Sequence, residues 1–229
     1  PALSTSPSQT LMARPANKAT GVGAGNVQHT GAYGEKYFKV TDINTDGNNN
    51  PETNMRHDYS RRFWANADET LSLAFDGNGF WRLYHGPRAT AGTPFVAITT
   101  SGTSGYLSGL AGNDCEPEWD ATDPLKLHYW GGGLLRYTKT ISSVGATTAS
   151  ESNATRADFT GRLPWAAATE VWTKSEGMSS ADGRYYCFMA TKYDSPSQTN
   201  LFYGIFTWDA QTDTILGTKS AASFAVNTY

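Results

Sequence analysis

Apolar and polar residues alternate along three separate stretches of the chain. Leu71, Leu73 and Phe75 alternate with Ser72 and Ala74. Leu125, Leu127 and Tyr129 alternate with Lys126 and His128, and Tyr185, Cys187 and Met189 alternate with Tyr186 and Phe188. A period of two places each set on one face of a β-strand. Long runs with helical spacing are absent, so the pattern predicts an all-β protein.

Each alternating stretch follows a four-residue turn signal. The turns are Asn66-Ala67-Asp68-Glu69, Asp120-Ala121-Thr122-Asp123 and Ser180-Ala181-Asp182-Gly183. Their starts lie 54 and 60 residues apart, and the strand is expected five residues after each start. Asn, Asp and Ser open turns because their short polar side chains bond backbone groups just ahead of them. Alanine follows in every copy. A glycine-rich turn comes next at Asp76-Gly77-Asn78-Gly79 and Gly131-Gly132-Gly133, replaced in the third copy by an insert from Thr191 to Asn200. A second strand is expected over Phe80 to His85, Leu134 to Thr138 and Leu201 to Trp208. A last strand reads as PFVAIT from Pro94 and DTILGT from Asp213, without a clear counterpart in the second copy.

Four short antiparallel strands repeated at a period of roughly 50 residues predict a β-propeller. A β-sandwich would explain the strands but not the recurring turn. The expected organisation is an irregular lead-in over 1–35, an outer closing strand over 36–42, and blades over 57–99, 115–150 and 175–218. The closing strand is inferred because KYFKVTD resembles TPFVAITT, and an open sheet edge invites unwanted pairing. Three blades fall short of the four or more that a ring usually needs. The expectation is therefore a partial propeller, completed by further blades of a longer chain or by a second chain.

Composition narrows the setting. The 229 residues can bury one large core or two small ones. With 17% charged and 13% aromatic residues, the chain is expected to fold. A net charge of −3 gives no attraction to nucleic acid or an anionic membrane, and no apolar run approaches a membrane helix. Cys115 and Cys187 make neither a disulfide scaffold nor a zinc cluster. The polar, Thr- and Asn-rich texture points to an extracellular or periplasmic location.

Three segments carry a family resemblance: HDYSRRFWANADETLSLAF, EPEWDATDPLKLHYW and SSADGRYYCFMA. They resemble the TolB-like and tryptophan–aspartate-like propellers of bacterial secreted proteins, where YSR, NADG and EPxWxPTDP recur along consecutive blades. The resemblance runs roughly from Arg14 to Thr218. It implies a propeller, an architecture shared with oligogalacturonate lyases. It does not imply one activity, since such folds serve as protein-binding scaffolds, lyases and peptidase-associated modules.

Candidate chemistry gathers before the turns. Arg62, Glu116 and Glu176 stand four positions ahead of the three turn starts, with His57 and Arg61 close by. In a propeller these positions crowd one mouth of the central channel. They could hold a polar ligand, a sugar acid or a metal ion, or they could pair with each other and with backbone amides to stitch blades together. Glu118 lies two residues after Glu116, so the two read either as a carboxylate couple or as one channel residue and one salt-bridge partner. Asp42, Asn44 and Asp46, followed by Gly47, have the oxygen spacing of a calcium loop, but the twelfth position is Thr53 instead of Glu. An ordinary polar turn explains the same residues, and calcium is the single cofactor suggested. The seven tryptophans read as packing residues before sugar platforms. G-x-S-x-G, H-E-x-x-H, P-loop and C-x-x-C motifs are absent from the sequence.

The expected role is a recognition or structural module, without catalysis of its own, that binds a polar ligand, a glycan or a protein on that face. One alternative is a polysaccharide lyase or hydrolase using Glu116 or His57 as base and Arg62 as clamp. The other is a subunit of a larger surface assembly.

Overall fold

Each alternating stretch forms the second strand of its sheet, or the first where the preceding strand is reduced to a single bridge. The computed structural model describes residues 28–30, 36–38, 65–75, 80–100, 106–110, 115–173 and 179–224. Strands β1 (Gln28–Thr30) and β2 (Lys36–Phe38) pair with each other. Sheet 1 contains β3 (Leu71–Phe75), β4 (Trp81–His85) and β5 (Ala97–Ile98). Sheet 2 contains β6 (Glu118–Trp119), β7 (Lys126–Trp130), β8 (Leu135–Ser142) and β9 (Ser150–Asp158). Sheet 3 contains β10 (Glu170–Trp172), β11 (Tyr185–Asp194), β12 (Thr199–Asp209) and β13 (Thr214–Ser220). Strands are ordered as in the chain and neighbours run antiparallel, so the described residues are all-β, with three antiparallel sheets of three or four strands beside the β1–β2 pair.

The second turn is one residue longer than the others, which corrects the fixed five-residue offset. The amide of Asn66 bonds the carbonyl of Leu71 and that of Ser180 bonds Tyr185, but that of Asp120 bonds Lys126. Ala65 bridges Ser72, and Trp119 pairs with Leu127. The equivalent strand starts are therefore Leu71, Lys126 and Tyr185, not Leu71, Leu125 and Tyr185. Because side chains alternate, a one-residue shift exchanges the two faces of β7. We name the face holding Leu71, Leu73 and Phe75 the leading face of a sheet, and its opposite the trailing face. In sheet 2 the leading face holds Lys126, His128 and Trp130; in sheet 3 it holds Tyr185, Cys187 and Met189.

With this register the sheets stack head to tail. One buried cluster joins Leu71, Leu73, Phe75, Trp81, Leu83 and Ile98 on the leading face of sheet 1 to Leu127, Tyr129 and Ile141 on the trailing face of sheet 2. A second joins Trp130 on the leading face of sheet 2 to Tyr186, Phe188, Phe206 and Trp208 on the trailing face of sheet 3. Among the described residues, no sheet packs on the leading face of sheet 3. Leu73 is 3% exposed and His128 1%. Their equivalent, Cys187, is exposed, and Tyr185 beside it is 38% exposed.

Other expectations are adjusted by the strand bounds. Residues 191–200 are not a separate insert, because β11 runs to Asp194, turns, and returns as β12 from Thr199. The missing outer strand of the second copy is β9. Lys36–Phe38, read as part of a closing strand, pairs with β1. Cys115 and Cys187 are not joined by a disulfide.

Candidate functional site: the seam between sheets 2 and 3

The turn-opening side chains act as the sequence suggests. The Asn66 carboxamide oxygen accepts from the amide of Leu71 at 2.9 Å, and the Ser180 hydroxyl accepts from the amide of Tyr185 at 2.9 Å. Asp120 Oδ1 accepts from the amides of Thr122 and Asp123, each at 2.9 Å. Successive turns touch. Asn66 Nδ2 donates to the carbonyl of Pro124 at 2.8 Å. Gly183 takes φ +70°, and a Cβ there would lie 3.2 Å from that of Ala121. A side chain at Gly183 would therefore press on Ala121. Ala67, Ala121 and Ala181 line one cavity of about 390 Å³, together with Glu118, Asp120 and Ser179.

Glu116 and Glu118 both reach from sheet 2 to sheet 3. Glu116, at φ +40°, accepts from the amide and hydroxyl of Thr173 at 2.8 and 2.9 Å. Glu118 accepts from the amide of Ser179 at 3.1 Å and from its hydroxyl, while its other oxygen meets Arg136 Nη2 at 3.2 Å. The Arg136 guanidinium lies 4.9–5.5 Å from the ring centres of Tyr186, Trp130 and Phe188. These aromatic faces and the Glu118 carboxylate together accommodate a buried charge. Of the other site candidates, His57, Arg61, Arg62, Glu176 and the Asp42, Asn44 and Asp46 loop lie outside the described residues. Among the described residues, no group of three or more His, Cys, Asp or Glu side chains is placed to hold a metal ion.

Behind Asp120 lies a polar cluster that sequence reasoning missed. His128 Nε2 is 2.9 Å from Asp120 Oδ2 and 2.7 Å from Arg156 Nη1, and His128 Nδ1 is 3.0 Å from the Thr138 hydroxyl. One neutral tautomer donates to Asp120; the other accepts from Arg156. Burial pushes His128 down to about 4, against the pull of Asp120, and the Arg156 charge adds to the fall. The hydrogen bond with His128 holds the Asp120 carboxyl far below the usual carboxylate range, helped by the Thr122 and Asp123 amides. The ring is thus neutral and the carboxylate charged at neutral pH.

Asp120 and Arg156 also line a second, polar cavity of about 330 Å³, whose other walls include Asp182, Gly183, Arg184 and Gln211. Arg184 is held by Asp209 at 2.7 Å. Arg156 projects from a β-bulge: Arg136 pairs with Ala157 and Tyr137 with Thr155, leaving Arg156 as the extra residue. Bulges re-aim side chains. Nothing in the polar run SESNATRAD announces where the bulge falls, so the signal for Arg156 is absent from the sequence. For Asp120 the signal was its place at the turn start.

No family model and no curated protein matches this chain.

Proposed function

We propose that the chain is a β-propeller-type module of recognition or assembly, without catalysis of its own, working through the inner-strand side where its turns converge. The observation that carries this reading is the head-to-tail stack, in which the leading face of each of the first two sheets is covered by the trailing face of the next. Propeller blades pack by the same rule, which supports this reading, and a further sheet would extend the stack from the leading face of sheet 3, on which none of the described sheets packs. The resemblance to TolB-like propellers of secreted bacterial proteins, and with it an extracellular or periplasmic setting, belongs to the same proposal. The partner class is a polar ligand, a glycan or a protein.

The engagement of Glu116 by Thr173 and of Glu118 by Ser179 and Arg136 supports a binding role over a lyase role. A general base must reach the proton it abstracts, and these carboxylates are directed at neighbouring strands. The test is incubation with a panel of acidic polysaccharides, alongside a glycan array. The expected result is no chain cleavage, with any array signal retained in Glu116→Gln. Cleavage that Glu116→Gln abolishes would overturn the reading in favour of the lyase.

A further inference from the structure

Arg88, Arg136, Arg162 and Arg184 each meet a carboxylate, from Glu69, Glu118, Asp213 and Asp209 respectively. Arg156 does not. Its hydrogen bonds run from Nη1 to the neutral ring of His128, and its Nε is buried without an acceptor. Trp208 supports the guanidinium from one side, 5.8 Å from ring centre to Cζ. Yet the bulge in β9 directs this side chain to a polar cavity large enough for a small metabolite. A guanidinium without a carboxylate partner in a partly desolvated cavity is an anion receptor.

The same cavity disfavours a bare anion. Asp120 and Asp182 stand in its wall, Gln211 adds an amide, and the second cation of the wall, Arg184, is already paired with Asp209. Asp182 uses Oδ1 to accept from the Ser180 hydroxyl at 2.5 Å and the Arg184 amide at 3.1 Å. A phosphate or sulfate at Arg156 would be repelled by both carboxylates. A molecule with one carboxylate toward Arg156 and hydrogen-bond donors toward Asp182 and Gln211 matches these three, while Asp120 is engaged by His128. We infer that this cavity binds a small carboxylate that also carries hydroxyl or ammonium donors, anchored by Arg156. The inference rests on residues of sheets 2 and 3 alone and does not depend on ring completion.

The test is calorimetric titration of the 229-residue chain with sodium gluconate and with L-serine, which separate hydroxyl from ammonium donors. Acetate and inorganic phosphate serve as controls. Tryptophan fluorescence gives a second readout, because Trp208 lies against Arg156. Either probe should bind at least about tenfold tighter than acetate or phosphate, and Arg156→Gln should weaken it at least about tenfold, the scale of a charge-assisted bond. Arg162→Gln, on the surface, should leave binding unchanged. Near-ultraviolet circular dichroism checks the fold. If Arg156→Gln is misfolded, Arg156→Lys and Gln211→Ala carry the comparison. The inference is overturned if neither probe binds, if phosphate binds as well as they do, or if the folded variants bind like the parent.

Discussion

The two interfaces of the stack solve one problem in different ways. Both bury a cation from β8. Between sheets 1 and 2 it is Lys139, fully buried, which meets Glu151 and the Ser108 hydroxyl within an otherwise largely apolar cluster. Between sheets 2 and 3 it is Arg136, spread among three aromatic rings and held by Glu118. A compact ammonium depends on its carboxylate partner. A planar guanidinium can stack on ring faces and bond at its edge. Among the described residues, the first interface is a hydrophobic core around the Lys139–Glu151 pair; the second is a polar seam continuous with two cavities.

The largest test of this contrast is Lys139→Met. It leaves the Glu151 carboxylate buried without its cationic partner, with the Ser108 amide and the Thr100 hydroxyl still donating to it, and should cost about 3–5 kcal/mol in urea unfolding. Adding Glu151→Leu should recover part of that loss, because the surroundings are largely apolar although the Ser108 amide and Thr100 hydroxyl then lose an acceptor. Arg136→Met should cost a similar amount, about 3–4 kcal/mol, but adding Glu118→Leu should recover little. The Ser179 amide and hydroxyl would then lose their acceptor. Equal recovery in the two double variants would erase the distinction.

Acid should strike the second interface first. His128 sits at about 4 when folded, below its ordinary 6.5, so the unfolded chain takes up a proton that the folded chain refuses between those values. Stability should therefore fall as pH drops from about 6.5 to about 4, by at most about 3 kcal/mol. Asp120, whose folded value is depressed, adds a further loss as pH falls through the usual carboxylate range and below. His128→Asn should flatten the upper part of the pH profile of Tm; an unchanged slope would remove His128 as its source. Glu116→Gln keeps one acceptor for Thr173 and should cost only about 1–2 kcal/mol. Arg162→Gln breaks an exposed pair with Asp213 and should change stability by less than about 1 kcal/mol.

The strands and turns were legible because their signals are local. Asn66, Asp120 and Ser180 bond backbone groups two to five residues ahead, and a six-residue window contains that chemistry. The faces of β7 were not legible. In Leu125-Lys126-Leu127-His128-Tyr129-Trp130 both parities offer apolar residues, and the extra turn residue appears only in the pairing of Asp120 with Lys126. Strand β9 was missed because its exposed residues carry no apolar alternation. Glu118 was named as a salt-bridge candidate, but its partners Arg136 and Ser179 lie 18 and 61 residues away, a distance no local pattern bridges. Glu116 was read as a channel residue from its repeat position. Its contact with Thr173 depends on how two sheets approach, which the repeat position does not specify.

The head-to-tail stack also gives the molecule a direction in folding. Among the described residues, sheet 2 is gripped on both faces and sheet 3 on one, and stacked units of this kind exchange stability chiefly with their nearest neighbours. Amide hydrogens should therefore exchange with solvent in a gradient, slowest in β7 and β8 and fastest along the exposed edge of β13. Anything that settles on the leading face of sheet 3 should slow that edge before it changes exchange elsewhere.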